Sequence, residues 1–170
     1  MLFRSISLSS TAFRKALSER FELSEIPPAG HPGDVLSAAA GRPSFIVRTR
    51  DGLTLLARLR TDVDHSAAFP AGTSESWRSL DVAVLQELIL SPLFDVHPDR
   101  PETLDRLTFS KDAHAALAAA HEHDAVFLLN ATRMDQVAAV ATAGETMPQK
   151  STYFYPKLLS GLLFKSLEDL

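Results

Sequence analysis

Gly144-Glu145-Thr146-Met147-Pro148-Gln149-Lys150-Ser151-Thr152-Tyr153-Phe154-Tyr155-Pro156-Lys157 gathers groups that could hold an anion. The two tyrosines of the chain, Tyr153 and Tyr155, both fall here, beside two of its five lysines, whereas arginine is used twelve times. Two ammonium groups (Lys150, Lys157) and two hydroxyls (Ser151, Thr152) suit a phosphate or carboxylate, the lysines as electrostatic clamps and the hydroxyls as hydrogen-bond donors. In an extended segment Lys150, Thr152 and Phe154 point one way and Ser151, Tyr153 and Tyr155 the other, so only part of the set can face one ligand. The competing reading packs the aromatics into a core, gives the hydroxyls to neighbouring backbone and lets the lysines snorkel.

Gly144-x4-Gln149-Lys150-Ser151 differs by one residue from the phosphate-binding pattern Gly-x4-Gly-Lys-Ser/Thr. It is a false match. That loop needs a strand before it, a helix after it and successive backbone N–H groups on the phosphate. Here a helical pattern precedes, Pro148 has no N–H, and Tyr153 to Pro156 does not continue as a helix.

Other clusters say less. His121 and His123 are two apart and face away from each other on a helix, and His114 is a further seven from His121, so their spacing does not make a metal centre. Histidines at a helix C-terminus suit its dipole instead. No Gly-x-Ser-x-Gly elbow occurs, and Asp62 with Asp64 or Asp95 with Asp99 read as solvated loop carboxylates. Trp77, beside Arg78 and Asp81, reads as a core-edge indole that anchors a loop on the next helix. Tyr153, Tyr155, Trp77 and Asp81 are therefore supporting candidates. The sequence identifies no catalytic residue and no cofactor.

The chain has 170 residues, 45% of them hydrophobic and 22% charged, which is enough for one domain over 1–170 with a real core. A net charge of −4 argues against binding nucleic acid or acidic membranes through a basic face. Cysteine is absent, which removes disulfides, thiol nucleophiles and sulfur-ligated zinc and suits a cytoplasmic setting. No apolar run reaches the roughly 18 residues of a bilayer span. The first 18 residues are rich in Ser and Arg with no acid before Glu19, like a mitochondrial transit peptide, but their pattern reads better as folded structure.

These elements must position the site. Leu2 to Leu8 reads as a strand. Ser10 caps a helix whose Phe13, Leu17 and Phe21 share a face. Phe21 to Ile26 is a second strand, and a helix runs from the Gly30-His31-Pro32-Gly33 turn to Ala40. Ser44 to Thr49 and Leu53 to Arg60 alternate about Arg50-Asp51-Gly52, a strong hairpin signal. Leu53, Leu55, Ala57 and Leu59 form its core face, and Thr54, Arg58 and Arg60 its wet one. Thr61 to Ser76 is a loop. Ser79 caps a buried helix from Leu80 to about Leu90 that Ser91-Pro92 stops. Leu104 to Ser110 is a strand, Ser110 caps a helix over Lys111 to His121, and Ala125 to Asn130 is another strand. Thr132 opens a helix through Ala143 with Asp135 in a capping box, and Gly144 closes it. Leu158 to Leu167 is either strand or helix. The sum is an α+β domain with a single mixed sheet, including one β-hairpin, covered by helices.

Met147 to Leu158 with Ser160-Gly161-Leu162 resembles the C-terminal signature of a bacterial family, domain of unknown function 1015. Ser76-Trp77-Arg78-Ser79-Leu80-Asp81-Val82-Ala83-Val84-Leu85, Leu107-Thr108-Phe109 and Ala125 to Thr132 agree with it in order. Gln86 stands where that family often has histidine, and Ala131 where proline is common. The resemblance implies the C-terminal domain of a longer protein whose N-terminal part carries an Asp-Gly-His-His-Arg motif, missing here. It further implies that Lys150, Ser151, Thr152 and Lys157 bind a small anion in an active site completed by that N-terminal domain, so this chain alone is not expected to be active. The alternative is a structural or interaction module that docks on the N-terminal half or on a second copy of itself.

Overall fold

The hairpin forms where its sequence dictates, and the rest of the sheet is laid on either side of it. The computed structural model describes residues 2–3, 9–27 and 31–152. Their elements run β1 (Leu2–Phe3), α1 (Ser10–Ser18), β2 (Phe21–Glu25), α2 (Pro32–Ala38), β3 (Ser44–Thr49) and β4 (Thr54–Leu59). A 3-10 turn over Ser66–Ala68 precedes α3 (Glu75–Arg78), α4 (Asp81–Leu85), a π-helical turn (Gln86–Leu90), α5 (Ser91–Phe94) and α6 (Pro101–Leu104). Then come β5 (Leu107–Thr108), α7 (Ala113–Ala118) with a 3-10 extension over Ala119–Glu122, β6 (Ala125–Leu129) and α8 (Met134–Thr142). The strand order is β2-β4-β3-β6-β1-β5. The fold is α+β, with helices on one sheet, but among the described residues every pairing is antiparallel, so the sheet they form is not mixed.

Between β3 and β4, Thr49 and Leu53 bond through their backbones and Gly52 takes φ +90°, a conformation other residues resist. The Asp51 carboxyl accepts from the Ser10 and Thr49 hydroxyls, which holds it below the usual carboxylate range. This ties α1 to the hairpin.

One sheet face carries Phe21, Phe45, Val47, Ala57, Ala125 and Phe127, buried against α1 and the 81–94 helical stretch. Phe13, Phe94 and Phe127 meet edge-on at 5.7–6.4 Å. The opposite face is not wet as its charges imply. Ile46, fully buried, and Leu56 pack with Ile26 and Leu36 beneath α2, while Val126 packs with Ala116 of α7 and Ala120 of its 3-10 extension.

Four expected helix starts move. Ser9, not Ser10, accepts the Ala12 N–H, and the chain turns after α1 so that Phe21 enters the same core from β2. Asp112 caps α7, and Arg133 precedes α8 with its N–H donated to Gln136 Oε1, so Thr132 is not in a capping box. Ser79 ends α3 by donating to the Ser76 carbonyl and does not cap α4. Pro92 does not stop the helix either. The Ser91 N–H bonds the Gln86 carbonyl five residues back, and this wider turn admits the proline ring at the start of α5.

Candidate functional site

The site is built where β6 ends. Leu129 is followed by Asn130-Ala131-Thr132-Arg133, a loop at a strand end, where binding groups are commonly presented by a rigid scaffold. Because Gln136 serves the start of α8, the Thr132 hydroxyl is left to donate to the Ser151 carbonyl at 2.7 Å. One contact thus joins residues nineteen apart.

The segment after α8 is fixed at each step. Gly144 turns it with φ +74°. Glu145 Oε1 accepts the Ser74 N–H at 2.9 Å, and the Trp77 indole donates to the Thr146 carbonyl at 3.2 Å. Met147 packs with Leu80, Ala83 and Val140. Pro148 to Ser151 then closes a β-turn, the Ser151 N–H and hydroxyl both donating to the Pro148 carbonyl, at 3.3 and 2.6 Å. Lys150, its third residue, has φ +60°. Such turns favour Gly or Asn there, and a longer side chain costs about 1–2 kcal/mol.

Residues 148–151 are therefore a turn and not an extended segment. Lys150 and Thr152 are exposed, whereas Ser151 is half-buried with its hydroxyl and carbonyl both engaged. Lys150, Ser151 and Thr152 line a hollow of about 510 Å³ with Ser110, Asn130 and Thr132. Phe109 (48% exposed) and Met134 (66% exposed) stand on its wall as the large exposed apolar side chains among the described residues. Lys157, Tyr153, Tyr155 and the run Leu158 to Leu167 lie outside the described residues.

Asp81 belongs to a different place. It opens α4 and lines a separate hollow of about 380 Å³ with Arg42, Arg133 and the same Asn130-Ala131-Thr132 loop. Its carboxylate accepts from Asn130 Nδ2 at 3.3 Å, and the backbone N–H groups of Asn130 and Ser44 lie near enough to stabilise its charge. Those residues flank the register pair Phe45 and Leu129, so Asp81 closes the end of the β3–β6 ladder. Burial pushes its carboxyl up to about 6 against the pull of these donors. Trp77, edge-on to Phe69 at 6.4 Å, is the core-edge anchor its sequence context predicts, and it shares with Lys150 a third hollow of about 640 Å³.

The histidines stay apart from all this. His121 Nδ1 bonds the Ala118 carbonyl, and the His31 and His114 rings meet edge-on at 5.6 Å. Among the described residues no three His, Asp or Glu side chains come together as metal ligands, and no helix is long and apolar enough to cross a membrane. Sequence reasoning did not single out Asn130, Thr132 as the partner of Ser151, Phe109 or Glu145. A polar residue closing an apolar strand, as Asn130 does after Leu129, is the signal that could have found the loop. No protein-family model, curated protein or solved structure matches the chain.

Proposed function

We propose that this domain contributes an anion-binding turn, for a phosphate, nucleotide or carboxylate, to an active site completed by a partner domain. The observation that carries this is the conformation of Lys150. A lysine occupies a left-handed position where glycine is favoured, while Thr132, Ser151 and Pro148 hold the turn in place around it. Backbone strain of this kind collects at functional sites, where the surroundings maintain it. Lys150 supplies the charge and Thr152 a hydroxyl on the same hollow, with Ser110 and Asn130 within its walls. Ser151 acts as the anchor of the turn. Lys157 is assigned the second clamp on the composition of the run and the family resemblance, and the identity of the partner, the N-terminal domain of a domain of unknown function 1015 protein, on the resemblance alone.

Exposed Phe109 and Met134 beside the hollow support the second half of the proposal. Apolar side chains next to polar ligand-holding groups suit a surface that another domain covers. The same observation favours the alternative, a non-catalytic module that docks on that domain or on a second copy of this one.

Melting temperature followed against phosphate, ADP, ATP and phosphoserine tests the first reading. A ligand at 100 times its Kd stabilises the fold by about 2.7 kcal/mol. Saturable stabilisation that Lys150→Ala removes is expected. No shift with any of the four anions overturns the anion site, and melting that then depends on protein concentration favours the docking module.

A further inference from the structure

The hollow of about 640 Å³ beside Trp77 is not explained by the anion-binding turn. Its walls are mainly apolar, from Trp77, Val82, Leu90, Leu107, Phe109 and Met147, and its size falls in the range of pockets for small organic ligands. Its floor is held open by contacts already made. The Trp77 indole bonds the Thr146 carbonyl, and Gln86 Nε2, on the π-helical wall, donates to Ser91 Oγ and the Val96 carbonyl at 3.0 and 2.8 Å.

Glu145 also lines this hollow. Its Oε1 accepts the Ser74 N–H, but its Oε2 is buried with no hydrogen-bond partner among the described residues. A buried carboxylate oxygen without a donor is unfavourable, and so rare that each instance calls for an explanation. Glu87 stands on the same hollow, half-buried, its carboxyl raised by burial and by the neighbouring charge of Asp99. An apolar chamber that holds one unpartnered anionic oxygen suits a ligand with an apolar body and a cationic, hydrogen-donating head.

We infer that this hollow is a binding site for a small apolar amine, whose ammonium group donates to Glu145 Oε2 while its body lies against Trp77, Val82 and Met147. The site adjoins the proposed anion turn, whose Pro148, Gln149 and Lys150 stand on its rim, but uses a different charged group, Glu145.

Trp77 is the single tryptophan of the chain, so its fluorescence reports on this hollow directly. The full chain is titrated with phenylbutylamine, phenylbutanol and phenylbutyrate, which share a body and differ in the head. Saturable change in Trp77 emission is expected, with the amine bound about tenfold more tightly than the alcohol and the acid weakest, as a charged hydrogen bond implies. Glu145→Gln keeps Oε1 as acceptor and should abolish the preference for the amine. Equal binding of the amine and the alcohol, no saturable change in emission, or a preference that survives in Glu145→Gln overturns the inference. If Glu145→Gln does not fold, the comparison of the three heads on the wild-type chain decides alone. Since the amine and the alcohol carry no negative charge and no Lys150 variant enters their comparison, its failure is separate from failure of the anion turn.

Discussion

Asp95 and Lys150 are the two residues other than glycine that adopt positive φ among the described residues, at +48° and +60°. They do so for different reasons. Asp95 ends α5, and its own carboxylate accepts from His97 Nε2 at 3.0 Å and Arg100 at 2.9 Å. The strain there is offset on the spot, and Asp is among the side chains that tolerate this region. At Lys150 the turn is held from outside, by the Thr132 hydroxyl on Ser151 and by the Ser151 bonds to Pro148, while the Lys150 side chain is directed to solvent. Identical backbone strain thus marks a structural end in one region and a presented cation in the other.

The largest effect that can break this contrast is on binding. With a saturating anion, Lys150→Ala should forfeit about 2.7 kcal/mol of ligand-induced stabilisation, whereas Asp95→Ala should leave that increment intact, as read by thermal melting with and without ligand. Second, Thr132→Val leaves the half-buried Ser151 carbonyl without its donor. Urea unfolding should show a loss of about 1–2 kcal/mol, and anion affinity should fall with it because the turn loosens. Third, glycine substitutions sharpen the comparison. Lys150→Gly relieves the backbone and should raise stability by about 1 kcal/mol while abolishing anion binding. Asp95→Gly gains similar relief but loses two exposed contacts worth about 0.2–1 kcal/mol each, so its net change should be close to zero.

The finest probe is pH, through a carboxylate at the end of the β3–β6 ladder. Burial raises Asp81 from 3.8 to about 6, so the folded chain keeps a proton that the unfolded chain has released. Its contribution to stability is complete below the unfolded value and lost as the pH rises through about 6. Asp62, Asp112 and Asp135, held low by hydrogen bonds, act with the opposite sign, their contribution being lost as the pH falls through their depressed values. Asp81→Asn should therefore flatten the decline in stability between about pH 4 and pH 6 in denaturant titrations and leave the acid limb unchanged.

Much of the scaffold was legible because its signals are local. Asp51-Gly52 between alternating runs, the apolar run Ala125 to Leu129 and the Phe13, Leu17 spacing each specify an element from a few neighbouring residues. Helix starts were less legible. Ser9 and Ser10, or Ser110 and Asp112, are all competent capping acceptors, and the backbone entry angle picks between them. Pro92 misled for a related reason, since its cost falls on a bond that the π-helical turn does not make. Leu56 stood between residues of a strand face read as wet, and only the approach of α2 buries it.

The sequence by itself determined that this is an α+β chain with a hairpin at Gly52 and a dense run of cations and hydroxyls near its C-terminal end, because these follow from side-chain alternation, turn stereochemistry and composition. Tertiary structure decided how members of that run are presented. Thr132, brought to Ser151 by the loop after β6, turns Ser151 into an anchor and leaves Lys150 and Thr152 on the hollow. It also placed Asp81 under the end of two strands and left Glu145 Oε2 without a donor among the described residues. Hydrogen bonds between residues far apart in the chain depend on how packed elements meet, and no local pattern encodes that meeting.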